Sequence, residues 1–257
     1  IASCNFDQHR NRNSWAGSRI IGSSSHNWVH HCRFSKYGEC SGTPPDGNDG
    51  GVVFEIGDEE SESDHSDYNL IEDNTMFDGG HHVLGVAGRY NTVRNNYLYN
   101  DGWTQLRGNR SLYLGGYSTS SSWNLIEGNS IGYTEASCDS TLTSATLIDS
   151  GHNIFRFNRF FYNNQAGLQF SVSSSYYQDI VYNHVYNNTF FDNALGNVYE
   201  SDPGNAAVYF AKWSGTLIVK YNILKNNLYF KHPKVYGTYG GPSLADQTFA
   251  NEFNGDV

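Results

Sequence analysis

One eight-residue pattern, repeated seven times, limits what this chain can fold into. Residues 153–160 show it in full: an asparagine, an apolar side chain at offset two, an asparagine at offset five and an apolar side chain at offset seven. The first asparagine recurs as Asn27, Asn69, Asn91, Asn124, Asn153, Asn183 and Asn222, and offset five reads Cys32, Asn74, Asn96, Asn129, Asn158, Asn188 and Asn227. Offset two reads Val29, Ile71, Val93, Ile126, Phe155, Val185 and Leu224, and offset seven Phe34, Met76, Leu98, Ile131, Phe160, Phe190 and Tyr229. Successive copies begin 22 to 42 residues apart. A fixed kernel with elastic spacing is what a solenoid produces, each coil a full turn with loops inserted at set places. Apolar residues on either side of a polar corner predict two short strands meeting at a bend, with alternate side chains turned inward. Stacked as parallel strands about 4.7–4.9 Å apart, equivalent asparagines form a ladder that satisfies polar groups the bend would bury.

These kernels resemble the right-handed parallel β-helix of the pectin-lyase-like superfamily over nearly the whole chain. The resemblance implies an all-β solenoid of about eight coils, with an asparagine ladder facing inward. The helix is expected over residues 1–230, with 231–257 an irregular cap or truncated end marked by Gly237, Gly240, Gly241 and Pro242. Cys4 and Phe6 fit offsets five and seven of an eighth copy, so the sequence reads as a piece of something longer. The catalytic motifs of the superfamily's pectate lyases, alginate lyases and polygalacturonases do not occur here, so none of their residues is carried over.

With 16% charged residues and many Gly, Asn and aromatic side chains, a helix-rich protein is excluded. A formal charge of −10 argues against general nucleic-acid binding, and no apolar run is long enough to span a membrane. No secretory signal is legible. Cys4 and Cys32 are expected as stacked core thiols and Cys40 and Cys138 as loop thiols, the alternative being a metal site from Cys4, Cys32, Cys40 and His31.

Each coil needs a third, returning strand, for which 19–22, 52–57, 84–87, 111–115, 145–150, 167–172 and 208–212 are candidates. Every insertion flanks this strand, whereas the bend inside the kernel never changes length. A face walled by variable loops is a groove, and loops on a rigid scaffold are where function concentrates. Trp103, Trp123 and Trp213, with Tyr117, Tyr176 and Tyr177, fall in or beside the walls, and exposed aromatics suit the apolar face of a sugar. Gln169, Tyr209 and Lys212 lie on the groove strands and complete the expected substrate contacts. Trp15 and Trp28 are assigned structural roles.

His82 stands two before Leu84 and Arg110 two before Leu112. If those leucines are equivalent, His82 and Arg110 stack in neighbouring coils, and Tyr113 projects one coil above Gly85, whose missing side chain leaves room. A base, a cation and an acid on one groove suit proton removal beside a carboxylate. The carboxylates Glu55 and Asp149 are three coils apart, roughly 14 Å at the stacking distance, so as a hydrolytic pair they are less apt; Glu55 with Asp58 is the alternative. The acidic run 58–67 offers Asp58, Glu59 and Asp64 as ligands for Ca²⁺; Asp46 to Gly50 fails calcium-loop spacing and reads as a turn. The sequence therefore predicts a secreted or cell-surface carbohydrate-active protein, a polysaccharide-lyase-like enzyme on an acidic polysaccharide. A glycoside hydrolase and a non-catalytic binding or structural β-helix are the alternatives. Neither nucleic acid nor membrane is an expected partner, and the chain is expected to be a monomer or a piece of a longer chain.

Overall fold

A computed structural model describes residues 1–7, 16–37, 51–58, 61, 63–64, 66–100, 110–116, 121–134, 144–172, 178–196, 205–212 and 216–250. Three parallel sheets of eight strands each wrap a single core as a right-handed β-helix. The first halves of the kernels, such as Leu125–Glu127 and Ile154–Arg156, form one sheet; the second halves, such as Ser130–Gly132 and Arg159–Phe161, form another. The return sheet stacks Ala16–Ile20, Val52–Ile56, His82–Val86, Arg110–Leu114, Thr146–Ile148, Leu168–Val172, Val208–Lys212 and Tyr236–Tyr239. A small fourth sheet pairs Ile180–Val181 with Val219–Lys220.

Kernel positions stack in register, Val93 beneath Ile126 and Ile126 beneath Phe155. All fourteen apolar kernel side chains are at most 1% exposed. Each contributes about 1.5–3 kcal/mol by leaving water, so the kernel carries the core. Flat stacking adds to this, as in Phe160 on Phe190 and Phe170 on Phe210, with centroids 4.7 and 5.0 Å apart.

Both asparagine columns form ladders. Asn158 Oδ1 accepts the backbone N–H and side-chain amide of Asn129, each at 3.0 Å. Its own Nδ2 donates to Ile126 O at 2.9 Å and Asn188 Oδ1 at 3.0 Å. The offset-zero column repeats this from Asn27 to Asn222, and a shorter third one joins Asn163 to Asn193. Each of the fourteen kernel ladder positions follows a residue with φ between 52° and 67°. Left-handed backbone costs an ordinary residue roughly 1–2 kcal/mol, but it turns the corner and aims the next amide inward. Cys32 takes an amide's place, its Sγ accepting from Cys4 N at 3.3 Å, and both thiols are free as expected.

The segment after Phe230 is more regular than expected. Tyr236–Tyr239 adds an eighth strand to the return sheet and Thr248–Ala250 one to the first kernel sheet. Gln247 stands in for the next ladder asparagine, its Oε1 accepting from Asn222 N and Nδ2 and its Nε2 donating to Val219 O at 2.9 Å. A glutamine does this because it carries the same amide, so a search for asparagine alone passes over it.

Candidate active site on the return sheet

Strand register places the sequence-predicted residues together. Arg110 pairs with His82 and Tyr113 with Gly85. Strict alternation would send residues three apart, such as Arg110 and Tyr113, to opposite faces. A bulge intervenes: the N–H groups of Ser111 and Leu112 both reach Ala145 O, at 2.9 and 3.0 Å. Two residues against one restores Arg110 to the outer face. The His82 and Tyr113 rings consequently lie 5.2 Å apart, with the Arg110 guanidinium 5.8 Å from the Tyr113 centroid.

Two glycines make the space. A Cβ on Gly85 would meet His82 Nε2 at 2.6 Å and Glu55 Cγ at 3.6 Å, so the imidazole occupies the column that Gly85 leaves vacant. Gly115 does the same for Asp149, whose carboxyl fills the place of the missing side chain. Tyr113 spans the two, donating its hydroxyl to Asp149 Oδ2 at 2.7 Å. Gly115 was not foreseen, although a glycine one coil from an aspartate on an outward column was its signal.

Glu55, His82, Tyr113 and Asp149 are each 5% exposed or less, while His81 and Arg110 keep partial exposure. Burial drives the electrostatics. It pushes the Asp149 carboxyl up to about 7, against the opposing effects of the Tyr113 hydrogen bond and the Arg110 charge. Asp149 Oδ1 has no hydrogen-bond partner among the described residues, which suits a carboxyl that keeps its proton. The His82 imidazole is held well below its ordinary range by burial, then by His81 and Arg110. Its Nδ1 lies 2.8 Å from that of His81, so one nitrogen donates and the other accepts.

Asp149 yields a stability prediction. Its folded value lies above the unfolded 3.8, so the native state holds a proton that the unfolded chain releases. Stability is thus lost as pH rises from about 4 through about 7. Asp149→Asn is expected to be increasingly more stable than the parent over that window and by a constant amount above it, by about a few kcal/mol at most, with a matching rise in melting temperature. Melting curves from pH 4 to 8 check this; a pH-independent difference contradicts it.

Other expected residues are placed differently. Glu55 and Asp58 both bind Arg19, at 2.7 and 3.4 Å, so they form a guanidinium clamp and not an acid–base pair. Asp64 is committed to protein hydrogen bonds, accepting from Gly22 N at 2.7 Å, Ser23 N at 2.9 Å and Ser66 Oγ at 2.9 Å. The expected calcium loop therefore loses Asp64 to a corner of the preceding coil, and Glu59 lies outside the described residues. Gln169 stands on the same column as Tyr113, accepting from Ser144 Oγ at 2.7 Å. Tyr209, next on that column, is 3% exposed and packs with Ala166 and Ala211, so it is not an open sugar platform. Lys212 ends its strand half-buried.

Trp123 is not on the groove. It follows Ser122 into the first kernel sheet, at the left-handed corner before Asn124, where side chains point outward. One such residue per coil builds an external stack: His26, Tyr68, Tyr90, Trp123, His152, Tyr182 and Tyr221, with successive centroids 4.2 to 6.5 Å apart. His152 stacks on Trp123 at 4.2 Å and Tyr90 lies 6.5 Å away, so the Trp123 ring belongs to this column and not to the groove. This column was legible as the residue before every first asparagine. Trp103, Trp213, Tyr117, Tyr176, Tyr177, Trp15, Cys40, Cys138 and residues 46–50 lie outside the described residues.

A family model described as periplasmic copper-binding protein (NosD) matches residues 6–230. The chain belongs to the NosD family. Among solved structures, an alginate lyase from Paenibacillus sp. str. FPU-7 is similar at a TM-score of 0.48 and 11% identity, over 91% of this chain and 72% of that one. No curated protein matches the sequence.

The description of the NosD family names copper, and the described residues do not fit a copper centre. No three His, Cys, Asp or Glu among them are grouped to hold a metal ion. The nearest approaches are two histidine pairs, His30–His31 and His81–His82, whose Nδ1 atoms bond to each other at 2.9 and 2.8 Å. Beside the second pair stands Arg110, whose charge opposes a cation. No chemical step is therefore derived through copper.

Proposed function

We propose that the return-sheet cluster acts on an acidic polysaccharide by β-elimination, outside the cytoplasm. The observation that carries the reading is the convergence of a neutral imidazole, a tyrosine hydroxyl on a raised-pKa carboxyl, and a guanidinium. Arg110, partly exposed, pairs with the carboxylate of a uronate and disperses the charge that builds on it. His82, uncharged at neutral pH, takes the proton from the carbon beside that carboxylate. The carbon–oxygen bond to the leaving sugar breaks as a double bond forms, and Tyr113 gives the departing oxygen its proton. Asp149, with a pKa of about 7, replaces the proton on Tyr113. Because His82, Tyr113 and Asp149 are closed from water, turnover requires this face to open.

The test is incubation with uronate polymers, following the ultraviolet absorbance of the new conjugated double bond. Absorbance that grows with time supports elimination; no absorbance with alginate, pectate and glycosaminoglycans, with or without Ca²⁺, overturns it. New reducing ends without absorbance would favour hydrolysis, with Asp149 as the general acid that its raised pKa suits. Retention without turnover would favour a binding protein.

A further inference from the structure

The outer face of the second kernel sheet carries a separate concavity. Its offset-eight column reads Phe77, Tyr99, Gly132, Phe161, Phe191 and Phe230 in successive coils. Phe77 and Tyr99 stack flat, 4.7 Å apart. At Gly132 the stack breaks, and Phe161 leans into the gap: a Cβ there would meet its Cε2 at 2.8 Å. The leaning ring meets Tyr133 edge-on at 5.4 Å and no longer stacks on Phe191. A space of about 450 Å³ results, lined by Tyr97, Ser130, Arg159, Tyr162, Thr189 and the separated rings of Phe161 and Phe191.

Arg159 decides the chemistry. Other described arginines are engaged: Arg19 with Glu55, Arg89 with Asp67, Arg94 with Glu72, Arg156 with Glu127, and Arg33 and Arg110 over aromatic rings. Among the described residues, Arg159 alone of the arginines has neither a carboxylate nor a ring partner, although the chain carries a formal charge of −10. An uncompensated guanidinium, the hydroxyls of Ser130 and Thr189, and aromatic rings in one hollow match a single chemistry. The guanidinium takes a carboxylate, the hydroxyls take sugar hydroxyls, and the rings take the apolar face of a pyranose. The volume lies within the usual range of ligand sites and admits one or two sugar rings.

We infer that the hollow around Arg159 is a second, non-catalytic site for an acidic sugar unit, on a different face from the return-sheet cluster. It would hold one stretch of a uronate chain while another stretch reaches Arg110, or hold a separate acidic glycan. It does not rest on the elimination reading, since binding at Arg159 involves no turnover.

The experiment is calorimetric titration of a uronate tetrasaccharide, with its carboxyl-reduced counterpart as control, into the full chain. Arg159→Gln is expected to weaken binding at least tenfold, and the reduced sugar to bind at least tenfold more weakly than the acidic one. Amide chemical shifts at Thr189 and Phe191 should move on titration, so the assignment does not rest on the variant alone. Equal affinity of Arg159→Gln and the parent, or equal affinity for the two sugars, overturns it. Repeating the titration with Arg110→Gln separates the two sites: binding that survives there and fails in Arg159→Gln supports this hollow, and the reverse places the sugar at the return sheet. With the tetrasaccharide loss established, a larger loss in Arg159→Gln for chains long enough to span both faces identifies one shared chain, and an equal loss at every length identifies an independent glycan site.

Discussion

His82→Gln is expected to lower turnover of a uronate polymer by about 10²- to 10⁴-fold, the usual contribution of a positioned general base, with little change in apparent affinity. The expectation follows from where the imidazole sits. It fills the column above Gly85, 5.2 Å from the Tyr113 ring, and burial keeps it uncharged. Glutamine approximates its size and keeps a hydrogen-bonding end, so the neighbouring side chains retain a partner. The pH profile separates catalysis from scaffolding. If Asp149 resupplies the proton, activity should fall as pH rises through about 7, and Asp149→Asn should remove that limb along with most of the rate. Unchanged turnover in His82→Gln would remove the base from the scheme, while a loss of turnover matched by a loss of folding stability and of substrate affinity would make His82 a packing residue.

Asn158→Leu is expected to destabilise the fold by about 2–6 kcal/mol, because two buried polar groups lose their partner at roughly 1–3 kcal/mol each and a third, the Asn129 side-chain amide, keeps only Val93 O. Those groups are the Asn129 backbone N–H, the Asn129 side-chain amide and Ile126 O. Leucine has nearly the same volume, so the loss reads hydrogen bonding more than cavity formation. Cys32→Ala provides the comparison at the ladder's end, where the thiol accepts one N–H from Cys4 at 3.3 Å; its cost should stay near 1 kcal/mol. Urea unfolding of both variants, with amide exchange at the coils on either side of Asn158, checks the difference. Equal costs would mean that the ladder follows the fold without stabilising it.

The candidate site was partly legible because register is a one-dimensional property. Once equivalent kernels are aligned, His82 and Arg110 must be neighbours, and Tyr113 must stand beside Gly85. Which face each occupies was not legible, since the bulge at Ser111 and Leu112 reverses the alternation and leaves no mark in composition. Glu55 and Asp149 looked unrelated at three coils' distance. Side-chain reach changes this: Tyr113 bonds Asp149, His82 contacts Tyr113, and Glu55 approaches His82 over Gly85. Trp123 misled for the opposite reason, because proximity to an insertion says nothing of direction, and the left-handed corner turns its ring onto another surface.

By itself the sequence determined the solenoid. Fourteen apolar side chains and the paired asparagines recur at fixed offsets, and burying such residues satisfies the corner only when coils stack in parallel and in register. Only the tertiary structure decided which outward residues meet, which carboxyl keeps its proton and which arginine is left uncompensated. Those properties depend on burial and on gaps of one side chain, at Gly85, Gly115 and Gly132, and such gaps acquire meaning only when another coil reaches across them.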